Sequence, residues 1–296
     1  MLRCVTSYFN VNNSNRVKEN FIEFRKRFNA PLTVVELAFD DQPFWIEDAI
    51  QIRADQSNMM WQKERLINIA IASLPSKVDK VAWVDADIIF ENNNWFKTTE
   101  MVLDSKPIVQ LFDSVYETND ANDPVNIGEG YVYKSRQNPE YDLSNIPSNT
   151  KKDIGKYGLA WAANISAIPN GINDFSITGS SDLLQVLSWE GAWDSYYFFQ
   201  MSEKYRDEVI KRSFGEFLNI KGDLGYVKGA IEHLQHGPSS KRKYEENQAI
   251  LYKHDFSIEE DIHLDAKALW QWASDKQDLH QEVKDIFYSR DEDNGY

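Results

Sequence analysis

Two periodicities alternate over the first 112 residues. Residues 2–9 and 32–39 are almost unbroken runs of aliphatic, β-branched and aromatic side chains, the pattern of strands buried on both faces. Between them Val17, Phe21, Phe24 and Phe28 recur at helical spacing after the capping residues Asn13 to Asn15, and Pro31 closes the helix. Residues 59–74 repeat the helical pattern up to Pro75. Residues 80–84, KVAWV, read as a third buried strand, 95–103 as a helix and 107–112 as a strand. Residues 46–54 fit no single period. Strand–helix alternation of this kind predicts an α/β fold with a mixed, mostly parallel central sheet flanked by helices.

Beyond residue 112 the pattern weakens. Residues 113–157 are rich in Asn, Asp, Ser, Pro and Tyr, and read as a long acceptor-side loop. Residues 158–168 return to a small-residue strand, 183–187 to a helix, 193–217 to one or two helices, and 225–236 to a strand-like run. Residues 241–252 are basic, then helical. In residues 256–288 Leu269, Trp270 and Trp272, then Leu279, Val283, Ile286 and Phe287, predict one or two C-terminal amphipathic helices. This gives a main domain over 1–255 and a helical extension over 256–296, with residues 290–294 an exposed acidic end.

Composition narrows the function classes. The 296 residues are 42% hydrophobic and 13% aromatic, enough for a sizeable core with stacking surfaces. No run reaches the length of a membrane span. The first residues enter a strand pattern directly, so no signal peptide is expected, and the single Cys4 fits a reducing cytoplasm (the host's, for a viral chain). A net charge of −15 weighs against a protein held to nucleic acid mainly through phosphates.

The candidate chemistry centres on Asp85-Ala86-Asp87. These acids close the 80–84 strand and are followed by the apolar Ile88-Ile89-Phe90. Two carboxylates two residues apart share a face of extended backbone and can offer hard oxygen ligands to a divalent cation. They also fit a strand-ending turn that caps a helix. Other candidates follow in order: Lys63 and Arg65 on the 59–74 helix, Gly179-Ser180-Ser181-Asp182 before a helix, and His233 and His236 with Gly237. On a strand, histidines three apart face opposite sides unless the chain bulges. Lys63 and Arg65 also fit a solvated helix face.

In this order the four features resemble GT-A glycosyltransferases, in particular the inverting β-1,4-galactosyltransferase-like group and related family-2-type enzymes of viruses and bacteria. The matching segments are Arg65 to Asn68 before the acidic strand, Trp161, the turn from Gly179 to Asp182, and the late His233 and His236. Two features of that group are missing, consecutive acids and a tryptophan in the 179–182 turn. The resemblance implies a Rossmann-like GT-A fold and a UDP-sugar donor. It also implies a divalent cation, Mn²⁺ or Mg²⁺, held by Asp87 and His236 with His233 as a third candidate. A carboxylate–imidazole set favours Mn²⁺. Asp182 is the expected general base of an inverting transfer, and an Asp there also fits a helix cap. Thr6, Tyr8, Asn10, Glu36, Lys63, Arg65, Asp85 and Lys241 are expected to hold the nucleotide-sugar, with Arg242 and Lys243 beside Lys241 closing over the diphosphate. The acceptor is a glycan, a protein, a lipid-linked saccharide or a hydroxymethylated base in DNA. A nucleotidyltransferase and a carbohydrate-binding module are the competing readings.

Overall fold

The structure is a computed structural model that describes residues 1–118, 123–138, 143, 153–237, 241–290 and 292–293. The chain begins β1 (Leu2–Phe9), α1 (Asn15–Arg27), β2 (Leu32–Phe39), β3 (Ile50–Ala54), α2 (Lys63–Ala72) and β4 (Lys80–Val84). It continues β5 (Ile88–Phe90), α3 (Trp95–Val102), β6 (Ile108–Gln110), β7 (Ser114–Thr118), β8 (Pro124–Glu129), α4 (Tyr131–Gln137) and β9 (Ala160–Asn164). Next come α5 (Ser181–Glu190), α6 (Tyr196–Phe199), α7 (Glu203–Ile220), β10 (Leu224–Tyr226), β11 (Ala230–His233) and α8 (Tyr244–Lys253). The chain ends α9 (Ile258–Asp261), β12 (Ile262–Leu264), β13 (Trp270–Trp272) and α10 (Gln277–Tyr288).

The main sheet has seven strands in the order β10-β6-β9-β4-β1-β2-β3. Strands β4, β1, β2 and β3 are parallel, as are β6 and β10, and β9 runs antiparallel between β4 and β6. Along β4, Val81 and Trp83 join one apolar cluster while Ala82 and Val84 join the other. Both faces of the sheet are therefore covered, which is why its central strands are continuous apolar runs. From β1 the chain builds outward through β2 and β3, then returns to place β4 on the other side. Ligand crevices in open α/β sheets form at such a reversal, outside the carboxyl ends of the strands.

A second sheet, β5-β11-β7-β8, meets the first at this point. Asp85 to Asp87 form the link from β4 in the first sheet to β5 in the second. Residues 113–157 are thus not one loop: their described parts hold β7, β8 and α4, while 119–122, 139–142 and 144–152 lie outside the described residues. The run 225–236 splits into β10 and β11, which belong to different sheets.

Residues 256–296 differ from the expected helices. Trp270 and Trp272 lie on a two-stranded hairpin, and only residues 277–288 form a long helix. The hairpin is bolted to the rim of α2. Gln62 donates to the Trp270 carbonyl at 2.7 Å and accepts from the Trp270 amide at 3.1 Å. These bonds, with Trp61 N–H donating to the Ile177 carbonyl at 2.9 Å, hold residues 59–62 out of the helix, so α2 starts at Lys63. The expected exposed end is also different, since Arg290 and Glu292 are largely buried. Among the described residues no helix is long and apolar enough to cross a membrane.

Candidate active site

A cavity of about 540 Å³ opens at the carboxyl ends of β1 and β4. Its floor is the Asp85–Asp87 turn. On one side Asp87 Oδ2 lies 2.9 Å from His236 Nε2 and 3.7 Å from His233 Nε2. One donor atom from each of the three residues falls within 4.8 Å of the others. The spacing that argued against two converging histidines is resolved by where the strand stops. β11 ends at His233, and His236 sits on the turn beyond it. That turn is pinned by Leu234 N–H donating to the Asp87 carbonyl at 2.7 Å, and by Asn20 Nδ2 donating to the Gln235 carbonyl at 3.1 Å. Gly237 then takes φ 72°, left-handed backbone that glycine adopts without strain.

This cluster fits a divalent cation. Asp87 Oδ1 is buried and has no hydrogen-bond partner among the described residues, an arrangement that carries a desolvation cost unless a ligand meets it. Glu117 Oε1 lies 3.3 Å from His233 Nδ1, so a carboxylate orients the ring and presents Nε2 to the cluster. Burial works to raise the Asp87 carboxyl, but His233 and then His236 hold it well below the usual carboxylate range. Burial opposes charge on His233 too, yet Asp87 and Glu117 pull its pKa up to about 9. For His236 burial prevails and lowers it. One carboxylate and two imidazoles suit a borderline metal better than Mg²⁺, which prefers oxygen.

The other side of the floor is a shared cation. Lys63 Nζ lies 2.6 Å from Asp85 Oδ1 and 3.6 Å from Asp182 Oδ2. Burial disfavours the ammonium, but Asp182 and Asp85 raise its pKa well above the usual lysine value. Burial pushes Asp85 up to about 6, against the pull of Lys63. Asp182 is not the helix cap: Ser180 holds that position, with φ 67° and no side-chain cap bond. Asp182 lies in the first turn of α5 and packs against Gly158, where an added Cβ would stand 3.0 Å from Oδ2.

The remaining expected residues divide. Tyr8 and Asn10 line the cavity. Tyr8 is wedged edge-on against Phe21 and Trp45, and Asn10 closes the turn into α1 through the backbone of Ser14. Thr6, Glu36 and Arg65 do not line it. Thr6 is fully buried and donates to the Val84 carbonyl at 2.7 Å, tying β1 to β4. Glu36 accepts from the amides of Trp45 and Ile46 and shapes that loop. Arg65, two residues from Lys63, projects elsewhere and pairs with the buried Asp174 at 2.9 Å. Lys241 is exposed and outside the cavity, whereas Arg242 lines it, with Nη2 3.0 Å from His236 Nε2.

Sequence reasoning passed over several lining residues. Glu64, next to Lys63, is buried in the wall, and burial pushes its carboxyl up to about 8. Its signal was its place in the first turn of α2, beside Lys63. Glu117 lay in a segment read as loop. Trp61, Phe287, Arg290 and Glu292 come from both ends of a long sequence separation and carry no local signal.

No protein-family model matches the chain, and no curated protein matches it by sequence. Among solved structures it is similar to a 4-diphosphocytidyl-2C-methyl-D-erythritol synthase from Anaerococcus prevotii, at 11% identity over 77% of this chain and 87% of that one, TM-score 0.33. It is similar to a glycosyltransferase involved in glycosylation of the major capsid of PBCV-1, at 12% identity over 83% of this chain and 98% of that one, TM-score 0.29. It is also similar to the galactosyltransferase LgtC in complex with donor and acceptor sugar analogs, at 9% identity over 98% of this chain and 96% of that one, TM-score 0.28. At scores this low the likeness carries nothing about function, which rests on the site.

Proposed function

We propose that this chain is a metal-dependent glycosyltransferase that moves a sugar from a UDP-sugar to an acceptor hydroxyl with inversion. The observation that carries the reading is the Asp87–His233–His236 cluster with its unpartnered, buried Asp87 Oδ1, set beside the Asp85–Lys63–Asp182 group in one cavity. Asp87, His236 and His233 would hold Mn²⁺, which when bound supplies Lewis-acid stabilisation of charge on the diphosphate.

The chain's own residues supply the rest. Tyr8 and Asn10 flank the nucleotide end of the cavity, and Arg242 adds positive charge beside His236. Lys63 fixes Asp85 and Asp182 relative to each other. The acceptor oxygen attacks the anomeric carbon on the face opposite the diphosphate, the bond to UDP breaks, and Asp182 takes the hydroxyl proton. Asn126 of β8, Asp153 and residues 155–158 also line the cavity, and on this reading the acceptor would meet them. The lining contains four basic side chains (Lys63, Lys156, Arg242, Arg290) and seven acidic ones (Glu64, Asp85, Asp87, Glu117, Asp153, Asp182, Glu292). That balance favours a glycan, protein or lipid-linked acceptor over a DNA base, whose phosphates need a basic groove.

Calorimetry with UDP and Mn²⁺, alone and together, tests the reading. UDP should bind tightly only with the metal, and Asp87→Ala or His236→Ala should reduce metal-dependent donor hydrolysis by about 100-fold. Full transfer in excess chelator overturns the metal role. Release of inorganic diphosphate from a nucleoside triphosphate, without release of UDP from a UDP-sugar, identifies a nucleotidyltransferase instead.

A further inference from the structure

The C-terminal residues enter the cavity next to the metal cluster. Two anchors bring them there. Asn12 Nδ2 donates to the Phe287 carbonyl at 2.6 Å, and Asp293 Oδ1 accepts from Ser14 Oγ at 2.7 Å and from the Arg16 amide at 2.9 Å. Between the anchors the Arg290 guanidinium lies 4.4 Å from the centre of the Trp61 ring, which stacks in turn on Phe287. Arg290 Nη1 is 3.6 Å from Glu292 Oε1, longer than an ordinary hydrogen bond, and Arg290 Nε is buried with no partner among the described residues. A guanidinium has five donors. The long ion pair leaves Nε without a hydrogen-bond acceptor among the described residues.

Glu292 is placed as oddly as its partner. Its side chain is only 15% exposed. Burial pushes its carboxyl up, Arg290 and Arg242 in that order pull it back, and Asp87 lies close enough to oppose them. The Arg290–Glu292 pair thus lines the same cavity as Arg242, Tyr8 and the Asp87–His236 pair. A group with more oxygens would satisfy both guanidiniums better.

We propose that Arg242 and Arg290 form an anion clamp for the donor's phosphates, and that Glu292 occupies it in the free protein as an internal substitute. The clamp rests on the UDP-sugar reading above. Binding exchanges one anion for another: the phosphate enters, and the Glu292 side chain leaves Arg290. Glu292 thereby sets how much donor is needed to fill the site, and Arg290 is a positioning residue for the diphosphate.

The two residues give effects of opposite sign, which a merely structural role does not. UDP affinity in saturating Mn²⁺ is measured by calorimetry on the full chain. Arg290→Met, which keeps an apolar stem on Trp61, is expected to weaken UDP about tenfold, and Arg290→Lys to recover part of that loss. Glu292→Gln is expected to tighten UDP by about threefold, an outcome misfolding cannot produce. Unchanged affinity in Arg290→Met, or unchanged or weaker binding in Glu292→Gln, overturns the clamp. Failure of the wild-type protein to bind UDP with Mn²⁺ overturns the functional reading itself.

Discussion

Buried ionisable groups away from the cavity matter for stability as those inside it matter for chemistry. Glu216 on α7 accepts from Trp189 Nε1 at 3.0 Å, and burial pushes its carboxyl from 4.5 up to about 7. Between those two values the folded chain keeps a proton that the unfolded chain has lost, so stability falls as pH rises through that window. The loss is of order 3 kcal/mol by linkage, fully present above pH 7. Glu216→Gln keeps the acceptor for Trp189 and removes this slope. The difference in urea midpoint between variant and wild type should be larger at pH 8 than at pH 5, in the variant's favour, and equal differences at both would contradict the assignment. Gly158 offers a second residue-scale test. A methyl there would press on the Asp182 carboxylate at 3.0 Å, so Gly158→Ala should lower transfer about tenfold while UDP affinity and melting temperature hold. Of the residues the cavity brings together, Asp85 and Asp87 were readable as acids between apolar runs, while Asp182, His233 and His236 were picked out by the order in which they follow that pair. Thr6, Glu36 and Arg65 looked equivalent in the sequence, but one residue of rotation on a strand or helix sends a side chain into the core instead of the crevice.

Helices and strands follow local pattern where their partners are local. Strands β1, β2 and β4 were legible because each is an apolar run, and the helices between them because each has a 3.6-residue stripe, whereas β3, with the polar Gln51 and Arg53, fell in the stretch of no single period. The hairpin of β12 and β13 was missed although its signal was present: Trp270 and Trp272 lie two apart, the strand period, while the helical stripe starts only at Leu279. The starts and stops of helices hold a correctable strain. α7 closes on Lys221 at φ 49°, a left-handed position where a side chain costs about 1 kcal/mol and glycine does not. Lys221→Gly, far from the cavity lining, should raise the melting temperature by a few degrees with no change in donor binding.

Across the whole molecule the apolar core crosses the expected division at residue 255. Leu269, Trp270, Leu279, Val283 and Phe287 belong to the same apolar cluster as Val35, Trp83 and Trp161 of the main sheet. The chain should therefore unfold in one cooperative transition by calorimetry, and removing residues 277–296 should destabilise all of it instead of detaching an independent unit. Two resolved transitions would separate the extension from the core. The second sheet, by contrast, could not be read ahead, since β11 pairs with β5 and β7 across more than a hundred residues and each of its four strands is six residues or shorter.

That small sheet also bears on the proposed metal site. In the antiparallel pair of β11 and β5, His233 stands opposite Ile88 and Glu232 opposite Ile89. A slip of one residue in this register would turn His233 away and present Glu232 beside Asp87, replacing an imidazole with a second carboxylate. The site would then lean towards Ca²⁺ or Mg²⁺. On the proposed reading, ion selectivity would be a property of strand alignment as much as of the ligands' identities, and a single inserted or deleted residue between Gly229 and His233 would be enough to change it.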